Sequence, residues 1–148
     1  MGCPSPTLYF LHGTKLGNSL HTQIRTRSIA LNAYLFQHQQ SESSACLCGF
    51  PTEHIKHFVL DCPLYRTLRH TLLNTIMQAP FDNSFTQLAP AHILDILING
   101  TTLNAGDGRR VAECFQDYLE RAVALRRSEA AAVAAAAAVA DGGDATPH

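Results

Sequence analysis

Cys46, Cys48, His57 and Cys62 are the residues of this chain best suited to chemistry. They run Cys-Leu-Cys, eight residues, His, four residues, Cys, so three thiols and one imidazole fall within 17 positions. Thiolates and imidazoles are the donors zinc takes in tetrahedral sites, and four of them fill the shell. A shell filled by protein leaves no position for an activated water. The expectation is therefore a structural Zn2+ that staples a loop, not a catalytic ion. The competing reading is three thiols packed as small apolar groups. Paired cysteines of zinc loops commonly stand about two to four residues apart, and here Leu47 alone separates them. His54, one helical turn before His57, is the alternative fourth ligand. Glu53 could support the ligating imidazole by a hydrogen bond, and its plainer role is an exposed carboxylate at a helix start.

The backbone must bend to bring these groups together. In an unbroken helix, positions five apart point about 140° away from each other. Pro63 resolves this, because the residue before a proline avoids the helical region. The chain must turn at Cys62, so that His57 projects from one short helix and Cys62 stands at the mouth of the next. Gly49 frees the backbone to turn behind the cysteine pair.

The rest of the chain reads as helix. Ser19 to Gln40 is helical with a break near Arg27-Ser28, and Ile29, Leu31, Ala33, Leu35 and Phe36 form its apolar face. Glu53 to Leu60 is a short helix. A second runs from Pro63 to about Met77, with Leu64, Leu68, Leu72 and Ile76 on its core side and Pro63 at its first position. Ala91 to Asn99 is a short apolar helix that Gly100 caps. The last helix begins after Gly106-Asp107-Gly108 and buries Val111, Phe115, Tyr118, Leu119, Ala122 and Leu125. The alanine tract extends it by propensity alone until Gly142-Gly143. The fold class is thus mostly α: a small helical domain with a Cys3His zinc-stapled loop, a long C-terminal helix and a disordered tail. Four segments are expected: an irregular leader (1–18), a zinc-binding domain (19–78), a helical extension (79–128) and an alanine-rich low-complexity tail (129–148).

Composition bounds the function. With 148 residues, 46% of them hydrophobic, the chain can build one ordinary core. A formal net charge of −1 gives no global field toward nucleic acid. Between residues 20 and 72, however, Arg25, Arg27, Lys56, Arg66 and Arg69 outnumber Glu42, Glu53 and Asp61. Five cysteines, three of them in one loop, do not read as a disulfide framework. With no secretory signal, this points to a reducing intracellular compartment, nuclear or cytoplasmic. The longest apolar run, Ala130 to Ala140, is shorter than the roughly 20 residues of a membrane span, so no membrane association is expected. Pro6 breaks the acylation pattern that Met1-Gly2-Cys3 begins.

With these residues placed, a resemblance becomes specific. Residues 20–72 resemble the zinc-binding segment near the C-terminus of reverse transcriptases of non-LTR retrotransposons. The resemblance is carried by Ile24-Arg25-Thr26, Leu31-Asn32-Ala33-Tyr34-Leu35, Cys46-Leu47-Cys48-Gly49, Glu53 to His57, and Cys62-Pro63-Leu64-Tyr65-Arg66. Arg27-Ser28 stand where that family has Gly-His. Neither a Tyr-x-Asp-Asp polymerase motif nor a Pro-Asp dipeptide of the associated endonuclease occurs in this sequence. The resemblance implies a detached C-terminal piece of such a protein that holds nucleic acid without catalysing a reaction. Its implied partners are RNA or single-stranded DNA and other retroelement proteins.

Arg25, Arg66 and Arg69 are the candidate phosphate contacts, against the plain reading of a solvated helix surface. Tyr34, Phe36 and Tyr65 could stack on unpaired bases or belong to the core. Arg109, Arg110, Arg126 and Arg127, among the acids of the last helix, read as a solvated face. Cys3 and Cys114 look incidental. The alternative function is a structural or protein-interaction domain in which zinc only staples the fold.

Overall fold

The computed structural model describes residues 13–78, 85, 87–101 and 103–142. Among them there is helix and no strand. Five α-helices follow one another: α1 (Lys15–Arg25), α2 (Asn32–Gln37), α3 (Arg66–Gln78), α4 (Pro90–Asn99) and α5 (Ala105–Gly142). A π-helical turn (His57–Asp61) and a 3-10 turn (Pro63–Tyr65) lead into α3. The expected leader lies partly outside the described residues, as do the end of the tail from 143 onward and Cys3. Of the leader, residues 15–18 are the first turn of α1, because Thr14 caps the helix. Its hydroxyl accepts the Gly17 N–H at 2.9 Å.

Helix α5 is the axis on which α1, α3 and α4 pack. Its buried stripe, Val111, Phe115, Tyr118, Leu119 and Ala122, is the one the periodicity predicts. It meets Leu20 and Ile24 of α1, Leu72 and Ile76 of α3, and Ile96 and Leu97 of α4 in one core. Helix α1 comes close to α5 at Gly17. A Cβ there would stand 2.9 Å from Glu120 Oε1 and 3.1 Å from Gln116 Cβ. Beside it, His21 is buried between Ile98 and Gln116: Nε2–H donates to the Ile98 carbonyl (2.7 Å), and Nδ1 accepts from the Gln116 amide (3.2 Å). Burial lowers its pKa, so this imidazole is neutral.

The start of α5 differs from expectation. It begins at Ala105, ahead of the glycines, because the Asn104 side chain accepts the Asp107 N–H at 2.8 Å and so serves as its cap. Gly100 ends α4 in the left-handed conformation, as expected. Phe36, expected on a buried face, is 51% exposed, because α2 is only 6 residues long and ends before that face meets a partner. At the other end, α5 runs without a break across 128/129. Residues 131–140 are all exposed, so the alanine tract projects into solvent. Among the described residues, no helix is long and apolar enough to cross a membrane.

The break after α1 is closed by backbone hydrogen bonds around Arg27. The Ser28 N–H bonds the Gln23 carbonyl (2.8 Å) and the Arg27 N–H bonds Ile24 (3.1 Å), which closes the helix end. This places Arg27 at φ 59, in the left-handed region that disfavours a side chain.

Candidate metal centre

The cysteine loop is a tight turn. The Gly49 N–H bonds the Cys46 carbonyl (3.0 Å), the Cys46 N–H bonds Phe50 (2.9 Å), and Gly49 sits at φ 98. Only glycine takes that conformation without strain. Hydrogen bonds from Glu53 N–H to the Ser44 carbonyl (2.7 Å) and from Ala33 N–H to the Glu53 carbonyl (3.1 Å) tie the loop to itself and to α2.

His57 and Cys62 meet through a device that the sequence reading missed. The Cys62 N–H bonds the His57 carbonyl at 2.7 Å, five residues back, so the turn is π-helical. The wider turn brings Cys62, five residues on, back over His57. Cys62 then leaves helical space at φ −64, ψ 125, as Pro63 requires. Side chains from two other helices take the carbonyls of this turn. Tyr118 donates its hydroxyl to Phe58 at 2.7 Å. Arg69 donates to Val59 (2.9 Å) and Cys62 (2.6 Å).

Together these turns gather Cys46, Cys48, His57 and Cys62, with ligand atoms all within 4.8 Å of one another. Cys46 Sγ lies 3.7 Å from Cys62 Sγ, and Cys48 Sγ lies 3.3 Å from His57 Nε2. Edges of a tetrahedron around a zinc-sized ion are about 3.8 Å for two sulfurs and about 3.6 Å for sulfur and nitrogen. The four residues could therefore hold a metal ion, and they can do so without moving far. Burial raises the pKa of Cys46 and Cys62. Burial also opposes the Cys48 thiolate, but the Phe50 amide and the two neighbouring thiols outweigh it and lower its pKa. Burial, then the His54 ring, lower the pKa of His57 and favour the neutral imidazole that a metal takes. Phe50 stacks on His57 with centroids 4.4 Å apart and shields that face.

His54 lies outside the cluster. It is exposed, and its Nδ1 accepts the His57 N–H at 3.1 Å. Glu53 takes neither role expected of it. Its side chain is fully buried ahead of the helix, and it faces Cys46 rather than His57. His57 Nδ1 has no hydrogen-bond partner among the described residues.

Glu53 instead anchors a buried network that the sequence reading missed. Arg126 of α5 grips both carboxylate oxygens, at 2.7 and 3.0 Å. The Asn32 N–H donates to Glu53 Oε1 (2.6 Å), and the Asn32 side chain accepts from Arg126 (3.1 Å) and donates to the Ala45 carbonyl (2.7 Å). Glu53 Oε2 stands 3.8 Å from Cys46 Sγ. Arg126 is thus part of the support behind the cluster, not of a solvated face. Its place was legible: residue 126 continues the stripe 115, 119, 122 at helical spacing.

The candidate phosphate contacts divide. Arg66 is exposed and Arg25 is half-buried. Arg69 is half-buried against the π turn, its guanidinium on two carbonyls. Among the aromatics, Tyr65 is 1% exposed and belongs to the core, whereas Tyr34 packs on His38 at the surface and Phe36 is exposed.

A similarity to a known protein covers part of the chain. Over 40 residues it is 40% identical to a "Retrovirus-related Pol polyprotein from type-1 retrotransposable element R1" of Bradysia coprophila. The matched stretch is 27% of this chain and 4% of that polyprotein. No family model matches the chain, and no solved structure does.

Proposed function

We propose that this chain is a retroelement-derived module in which one structural Zn2+, held by Cys46, Cys48, His57 and Cys62, organises a helical fold that holds nucleic acid without catalysis. The observation that carries the reading is the gathering of three thiols and one imidazole, their ligand atoms all within 4.8 Å of one another. The partial similarity to a retrotransposon Pol polyprotein supports its origin. Three cysteines favour zinc over harder divalent ions. Four protein donors leave the ion no open position, so the proposal assigns no reaction to it.

RNA or single-stranded DNA is the proposed partner, through Arg25 and Arg66, with other retroelement proteins as further candidates. Arg69 contributes indirectly, by holding the π turn. Few cations are available, so binding is weak and falls as salt rises. Fluorescence anisotropy with labelled oligo(U) and oligo(dT) at low salt tests this. Arg25→Gln with Arg66→Gln abolishes binding while zinc content, read by elemental analysis, stays at one per chain. Binding unchanged in that double variant, or absent in the parent, would leave the module a zinc-stapled structural or protein-docking domain.

A further inference from the structure

Helix α5 supplies none of the four cluster residues, yet it reaches Cys46 by two routes. In the first, Arg126 holds both oxygens of the Glu53 carboxylate at 2.7 and 3.0 Å, and Glu53 Oε2 stands 3.8 Å from Cys46 Sγ. In the second, Arg126 donates to Asn32 Oδ1 at 3.1 Å, and the Asn32 amide donates at 2.7 Å to the carbonyl of Ala45, the residue before Cys46. The Glu53 side chain is 0% exposed and that of Arg126 17%.

Charge makes the first route matter. A dication held by three thiolates and a neutral imidazole keeps one surplus negative charge. The Glu53 carboxylate adds a second beside it, away from water, where like charges repel most. Two guanidiniums stand against them. Arg69 places its N–H groups on the carbonyls of Val59 and Cys62. Among the described residues, Arg126 is the one ion-pair partner of Glu53. Without it, a buried carboxylate with no counter-charge faces the thiolate that the metal needs.

We infer that Arg126 is a positioning residue of the metal centre. Its charge, relayed through Glu53, lets Cys46 bind a metal ion as thiolate, so a helix that contributes no ligand sets the affinity. This role rests on the proposed metal reading of the cluster. The competing role is scaffolding alone, in which Arg126 only holds Asn32 and the loop in place. The two differ in what can replace the guanidinium. Lysine keeps the charge but cannot grip two oxygens and Asn32 at once. Glu53→Gln together with Arg126→Gln removes both charges, so the net charge beside Cys46 is the parent's while the fork is lost.

The test is the zinc affinity of the reduced full chain, measured at one pH by competition with a chromophoric chelator. Thermal melts confirm that each zinc-loaded variant is folded. Arg126→Gln binds zinc more weakly by about tenfold or more. Arg126→Lys and the double variant both stay within about threefold of the parent. Should Arg126→Gln fail to fold, these two still decide, because scaffolding predicts that both lose affinity. A smaller loss in folded Arg126→Gln, or a larger loss in Arg126→Lys or the double variant, overturns the inference and leaves the metal site standing. A parent that binds no zinc overturns the metal reading itself, and this role with it.

Discussion

At the scale of single residues, the most consequential side chain is Glu53. Its carboxylate is fully buried, and Arg126, the Asn32 amide and the Cys46 thiol surround it. Removing one member of a buried ion pair leaves the other desolvated and uncompensated, which costs about 3–5 kcal/mol. Glu53→Ala and Arg126→Ala are each expected to lose about 3 kcal/mol in urea unfolding. The double variant should lose much less than the sum. Additive losses would mean that the two groups do not act together. Arg27 predicts the opposite sign. Relief of a left-handed side chain is worth about 1 kcal/mol, and the looser unfolded chain of a glycine offsets part of it. Arg27→Gly should therefore raise the urea midpoint slightly, and a clear drop would show that Arg27 makes contacts that outweigh its strain. The four cluster residues were legible because metal donors are rare and their spacing is constrained. The pairing of Glu53 with Arg126 was not, because 73 positions separate them and only the packing of α5 brings them together.

Among the elements, α5 carries two regimes. Up to Arg126 it is core and clamp, and from residue 131 it is exposed alanine. Alanine favours helix but buries little area. Truncation after Ala130 should leave the melting temperature nearly unchanged, whereas truncation after Leu125, which removes Arg126, should lower it sharply. Differential scanning calorimetry separates the two, and equal losses would place the tract against the core. The helical periodicity of α3, α4 and α5 was readable from sequence, since core-facing stripes follow from apolar spacing alone. The π turn was not. The sequence requires only a break before Pro63, and the wider turn depends on Tyr118 and Arg69 arriving from other helices to take its carbonyls.

For the whole molecule, stability is tied to protonation and to metal. His21 bridges α1, α4 and α5 as a neutral imidazole with its pKa below 6.5. The unfolded chain protonates this residue near 6.5 while the native state resists, so the unfolded state binds more protons and stability falls as pH drops below that value. Thiol protonation releases metal in the same direction, so the comparison uses metal-free reduced protein, where the lowered pKa of His57 acts equally in parent and variant. There, a His21→Gln variant should show a flatter fall in urea stability between pH 7.5 and 5.5 than the parent. An equal fall in both would remove His21 as the cause.

The central claim is that four residues form one metal-binding staple, and cobalt titration of the reduced metal-free chain tests it most directly. Cobalt in a three-thiolate, one-imidazole tetrahedron gives strong visible absorption. The account predicts saturation at one equivalent, displacement by zinc, and ordering of residues 45–65 read as protease protection. Cys62→Ser and His57→Ala should abolish the signal, and His54→Ala should leave it intact. An absorption that survives Cys62→Ser, or no tetrahedral cobalt spectrum in the parent, would contradict the account.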